Sequence, residues 1–164
     1  MSWRVLHDRD MNSFEGNIYY APTDLGQRQA LFDLLYKQCL HEAPTPSQEG
    51  AKRRWKELRA WFVSTGEIYR IIIDRTCAGL LWTERQGQRL YLHDLVLFPD
   101  FRRRGIAGRV MRDLEASYAD KSEEIEIGVK VTNRQARAMF AQLGFHISRA
   151  AEEMDYLILR KSIR

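Results

Sequence analysis

Residues Tyr91 to Met111, YLHDLVLFPDFRRRGIAGRVM, set the tightest limit on what this chain can become. The first half alternates like a strand. Pro99 and Asp100 then interrupt the alternation, and three arginines lead into Gly105 and an apolar run with helical spacing, so a strand hands over to a helix. The first turn of a helix leaves backbone N–H groups without intrahelical partners, and the helix dipole adds partial positive charge there. The junction therefore suits a bound anion. Gly105 carries no side chain and Ala107 almost none, while Arg102, Arg103 and Arg104 raise the local positive potential. A strand-loop-helix corner with a solvated basic face has the same features, because a short glycine turn is a weak signal alone.

Other phosphate-binding patterns are missing. The chain has no G-x-x-x-x-G-K-[ST], and Gly105-Ile106-Ala107-Gly108 does not supply the G-x-G-x-x-G of a dinucleotide site. What is left is a pyrophosphate cradle with neither a kinase lysine nor a nicotinamide fingerprint.

Arg102-x-x-Gly105-x-Ala107, after an apolar strand and at the head of an amphipathic helix, resembles the [Q/R]-x-x-G-x-[G/A] signature of the GNAT N-acetyltransferases. Downstream, Asn133, Ala136, Met139 and Phe140, followed by Leu143, Gly144 and Phe145, resemble that family's N-x-x-A-x-x-L-Y…L-G-F element. Two motifs in this order and separation are stronger than either alone, and the resemblance extends over residues 17–162.

The resemblance implies binding of acetyl-CoA and transfer of its acetyl group to a primary amine of a small molecule, peptide or protein. It also assigns positions. The backbone of Leu95, Val96 and Leu97 would line the pantetheine arm like an added strand. The stretch Arg102, Arg103, Arg104, Gly105, Ile106, Ala107 and Gly108 would hold the pyrophosphate. Asn133 would touch the cofactor across the cleft, although a helix cap explains it equally well. The sequence departs from the family at Phe140, where many members carry a tyrosine that acts as general acid. Phenylalanine cannot give a proton, so Phe140 either packs on the core beside the cofactor or marks a lost acid, with water or Tyr156 in its place.

The base is expected on the strand before the cradle. Strict alternation places Tyr91, His93, Leu95 and Leu97 on one face, and His93 falls where related enzymes carry a histidine or glutamate that takes the amine's proton. Imidazole titrates near neutral pH and suits the task. A hydrogen-bonded core histidine is the plain alternative. Asp94 is the reserve base if a bulge shifts the alternation.

Composition sets the outer bounds. A chain of 164 residues that is 45% hydrophobic can bury one sizeable core. The reading is an N-terminal extension, 1–16, followed by a single domain, 17–164. No apolar run approaches the roughly 18 to 20 residues that cross a bilayer, and MSWRVLHDRD lacks the core of a signal peptide. A soluble, cytoplasmic protein is expected, with no membrane partner. Cys39 and Cys77 have no C-x-x-C spacing and read as small buried hydrophobes, so no metal site or disulfide framework is expected. A net charge of +4 permits either nucleic acid or a polyphosphate cofactor. No aromatic-basic stacking motif accompanies the charge, which disfavours nucleic acid. A homodimer is compatible with the sequence.

In chain order, the patterns predict one strand, two helices, three strands of an antiparallel meander, a helix, a strand, a helix and two final strands. This order is α/β with a mixed sheet, and it matches the order of the GNAT family, so the resemblance implies a GNAT-type, mainly antiparallel central sheet flanked by helices. Leu31, Leu35 and Cys39 form the apolar face of the first helix, with Phe32 and Leu34 widening it. Ala51, Trp55, Leu58 and Phe62 do the same for the second. The GNAT resemblance implies an amine acceptor near Tyr36, His41, Glu42, Trp55, Trp61 and the neighbours of Tyr156. Glu42, Glu49, Glu84 and Asp94 are too scattered to specify a polyamine. An alternative to catalysis is an inactive CoA-binding regulatory or interaction module.

Overall fold

The structure is a computed structural model that describes residues 14–42, 48–151 and 155–164, with side chains described for 14–35, 55–151 and 155–164. Its elements are β1 (Ile18–Pro22), α1 (Leu25–Glu42), α2 (Gln48–Ser64), β2 (Glu67–Ile73), β3 (Thr76–Gln86), β4 (Arg89–Leu97), α3 (Ile106–Tyr118), β5 (Glu124–Lys130), α4 (Arg134–Gln142), β6 (His146–Ala151) and β7 (Tyr156–Ser162). The strands form one sheet in the order β1-β2-β3-β4-β5-β7-β6. Every pairing is antiparallel except β4 with β5, which α3 joins as a parallel crossover. The predicted order of elements matches throughout.

The sheet separates two cores. One is built by Ile106, Val110, Met111 and Leu114 of α3 and Phe140 of α4 against Leu81, Leu90, Leu92, Ile125 and Ile127. The other is smaller, with Leu31 and Phe32 of α1 and Phe62 of α2 against Ile68, Leu80 and Trp82. The apolar residues sort this way because successive strand side chains point to opposite faces while helical ones recur every three or four. Phe14, one of the two aromatics of the predicted extension, packs against the larger core. The other, Trp3, lies outside the described residues.

Three expectations about helix and cysteine burial need correction. Leu34 and Leu58 are 44% and 37% exposed rather than part of the apolar faces. Trp61 and Phe62 both meet the Trp82 ring, with centroids 4.5 and 5.0 Å away, so these bulkier rings rather than Leu58 fill the contact between α2 and the sheet. Cys77 is only half-buried, at the start of β3 two residues after the tight turn at Asp74 and Arg75, both with positive φ. The side chains of Tyr36, Cys39, His41, Glu42, Glu49 and Ala51 lie outside those described.

Candidate active site

Strands β4 and β5 run together for only four residue pairs, ending at Leu92 opposite Ile127. Beyond that point β4 pairs only with β3, up to Leu97 opposite Gly79, and β5 pairs only with β7, up to Lys130 opposite Tyr156. The sheet opens into a fork. Along the β5 side of residues 93–97 the backbone has no strand partner among the described residues, so an extended ligand can add there as a strand would. This is the stretch that contains the predicted Leu95, Val96 and Leu97.

A bulge lies at the root of the fork. Trp82 is registered with Asp94 and Thr83 with Leu92, so β4 carries one extra residue at His93. The alternation read from the sequence is therefore wrong across this point. Leu95 and Leu97 pack into the α3–α4 core with Leu92, whereas His93 lies against the aromatic rings of the α1–α2 face. Asp94, registered with Trp82, shares the side of His93. A strand without the bulge would have put the histidine and the aspartate on opposite faces.

His93 is held on three sides. The Trp61 ring stands edge-on at 4.8 Å, Trp82 lies 4.7 Å away, and Tyr91 is stacked at 6.4 Å. Its Nε2 lies 2.8 Å from Glu84 Oε2, while Gln86 Nε2 donates to Glu84 Oε1 at 2.9 Å. The bond from Gln86, followed by that from His93, holds the Glu84 carboxyl below the usual carboxylate range. Asp94 is shifted the opposite way. Water reaches it, yet protein atoms crowd it closely enough that desolvation pushes its carboxyl up to about 6, against the opposing bond from the Leu95 N–H.

The cradle follows β4 directly. After a 3-10 turn at Pro99–Phe101, Arg102 Nε donates to the Leu97 carbonyl at 2.9 Å, which ties the loop to the end of the fork. Arg103 and Gly105 both have positive φ, +59° and +75°, and Gly105 is the N-cap of α3 with no side chain supplying a cap bond. The first intrahelical bond runs from the Arg109 N–H to the Gly105 carbonyl, so the N–H groups of Ile106, Ala107 and Gly108 are free of intrahelical partners. Uncapped amides at a helix N-terminus, beside a backbone bent by two positive-φ residues, are the features that suit a bound anion. The guanidinium of Arg104 lies over the rings of Phe14 and Phe101, at 5.8 and 5.6 Å. Arg103 is exposed and unpaired among the described residues.

The remaining candidates fall in different places. Asn133 is the N-cap of α4, its Oδ1 accepting from the Ala136 N–H at 3.1 Å, which realises the cap reading. Gly144, at φ +89°, ends the same helix as expected. Phe140 is 3% exposed and edge-on to Phe145. It belongs to the core, and its expected contact with the cofactor has no exposed ring to make it. Tyr156 opens β7 on the far arm of the fork, on the His93 face of the sheet, half-buried beside Gly128.

The Glu84 partner of His93 has no counterpart among the sequence expectations. Trp61, 44% exposed beside His93, is one of the residues expected near the acceptor, whereas Glu84 carries no role in the sequence pattern. Glu84 was within reach of hairpin logic. Counting back from the Gly87 turn sets it opposite Tyr91 and diagonal to His93, close enough for long side chains to meet.

A family model described as Acetyltransferase (GNAT) family matches residues 29–145. Among solved structures, a GNAT family acetyltransferase from Elizabethkingia anophelis with acetyl-CoA bound has a TM-score of 0.63 at 15% identity, covering 88% of this chain and 97% of that one. PaiA N-acetyltransferase from Thermoplasma acidophilum in complex with coenzyme A has a TM-score of 0.64 at 13% identity, covering 88% and 98%. The ribosomal-protein-S18-alanine N-acetyltransferase of Escherichia coli has a TM-score of 0.53 at 17% identity, covering 58% and 68%. At these identities the likeness is one of fold. Comparison with curated proteins gives no match.

Proposed function

The chain belongs to the acetyltransferase (GNAT) family, and from that premise we propose that it is an N-acetyltransferase that uses acetyl-CoA and a primary amine. The observation that carries the reading is the fork between β4 and β5, with an uncapped helix N-terminus at its open end and His93 at its root. The residues present fit the cofactor. The free amides of Ile106, Ala107 and Gly108 with Arg103 would hold the pyrophosphate, and the open edge of Leu95, Val96 and Leu97 would take the pantetheine arm. Asn133, already a cap, keeps an amide group exposed for a second contact.

Acetyl-CoA supplies the acetyl group as a thioester. His93 takes the proton that the amine sheds as the C–N bond forms, and backbone N–H groups of the open β4 edge offer hydrogen bonds to the carbonyl oxygen. The thiol is acidic enough to leave as thiolate when the C–S bond breaks, so the buried Phe140 need not abolish turnover. Tyr156, on the same face, is the group we assign to protonate it. Trp61 walls the acceptor side with an apolar ring.

Three measurements test this reading. Acetyl-CoA should raise the melting temperature saturably, and RNA or DNA should not. A broad amine and peptide panel should then release free thiol with at least one acceptor. Saturable binding with no thiol release across the panel would instead favour an inactive CoA-binding module, the reading that the loss of a tyrosine at Phe140 would suit.

A further inference from the structure

From the Glu84–His93 contact we infer that Glu84 is a positioning residue: it locks His93 into the tautomer with its proton on Nε2 and leaves Nδ1 as the atom that takes the amine's proton. The inference rests on the N-acetyltransferase reading for its use, but not for its geometry.

An ionised carboxylate accepts hydrogen bonds and cannot donate them. Glu84 is held in that form, with one oxygen on the Gln86 amide and the other 2.8 Å from His93 Nε2. Nε2 must then be the protonated nitrogen of the neutral ring. Among the described residues no hydrogen bond reaches Nδ1, so its lone pair is available. Trp61, Trp82 and Tyr91 pack round the ring and keep it from turning over. His93 and Glu84 are mostly shielded, with 15% and 25% of their side chains exposed, which limits competition from water. When the amine approaches, its proton passes to Nδ1, and the resulting imidazolium is stabilised by the Glu84 charge across the ring. A carboxylate behind a histidine orients and stabilises it in this way without itself taking up a proton.

The test is nitrogen NMR on the full chain, labelled at histidine and recorded above neutral pH, with kinetics alongside. Wild-type protein should show Nε2 as the protonated ring nitrogen of His93 and Nδ1 as the bare one. Glu84→Gln keeps the shape but offers both a donor and an acceptor, so the two tautomers should mix. The same variant should lower kcat roughly 10 to 100 fold with acetyl-CoA affinity unchanged. In a His93→Ala background it should cost almost nothing more, because the two residues act as one unit. Mixed tautomers in the wild type, or a single tautomer that survives Glu84→Gln, would overturn the inference. So would an equal loss of kcat with and without His93. The stated tautomer in a protein that releases thiol with no amine would instead remove the N-acetyltransferase reading and leave the Glu84 lock standing.

Discussion

The backbone of Gly79 on β3 passes so close to Val96 on β4 that a Cβ on Gly79 would lie 1.9 Å from the Val96 carbonyl oxygen and 2.9 Å from the Leu97 Cα. This close approach occurs beside the open edge of the fork, where β4 has left β5. A side chain at Gly79 has to push the 94–97 stretch away from its present line. Gly79→Ala is therefore expected to weaken acetyl-CoA binding by more than tenfold and to lower the melting temperature, as backbone rather than a flexible side chain must shift. Calorimetric titration of the folded variant checks it, and unchanged affinity would mean the glycine does not shape the fork.

Gly105 tests the cradle itself. Its φ of +75° is costly for any residue with a Cβ, most of all a β-branched one, and Val would also crowd the free amides at the head of α3. Gly105→Val should weaken acetyl-CoA binding by well over tenfold, more than about 1.4 kcal/mol. A folded variant with wild-type affinity would sink the cradle assignment.

The three arginines should separate by their contacts. Arg102 is spent on the Leu97 carbonyl and Arg104 is stacked on Phe14 and Phe101, whereas Arg103 is exposed and unpaired among the described residues. Arg103→Ala should cost less than Gly105→Val, because exposed charges are screened, and should flatten the dependence of cofactor affinity on salt. Arg104→Ala should disturb the seating of Phe14 and change that salt dependence less. The opposite ranking would mean that Arg104 leaves its stacked position to meet the phosphates.

His93 and Asp94 lie on the same face, and variants tell them apart. His93→Ala should lower kcat roughly 10 to 1000 fold at neutral pH with cofactor affinity little changed. If His93→Ala retains full activity and Asp94→Asn abolishes it, the aspartate is the base.

Asp94 also predicts a pH dependence of stability. Folding raises its carboxyl from an ordinary 3.8 to about 6, so the folded chain holds this proton more tightly than the unfolded one. Stability from this group is greatest below about pH 4, falls as pH rises toward 6, and is level above that. Asp94→Asn should then be the more stable protein at pH 7.5 by about 2 to 4 °C, the shift that about 1 kcal/mol produces in a chain of this size. Solvent access to the carboxyl keeps the effect from being larger. The gain should vanish near pH 4 in thermal scans, and a gain constant with pH would rule out the carboxyl's titration as its source.

The sequence alone determined the order of elements and the strand-to-helix junction at Gly105, because both rest on local chemistry: period-2 and period-3.6 patterns, Pro99 as a break, and a glycine where the backbone must turn left-handed. It also placed Asn133 and Gly144 at the ends of α4, since helix caps are written within a few residues. Tertiary structure decided which face each β4 residue takes. The bulge at His93 depends on how β4 registers against β3, and one extra residue reverses the facing of everything beyond it, so Leu95 and Leu97 parted from His93. The partners of His93 were likewise set by the assembled sheet. Glu84 reaches it across a hairpin and Trp61 from a helix more than thirty positions earlier, and no period along the chain encodes contacts between elements.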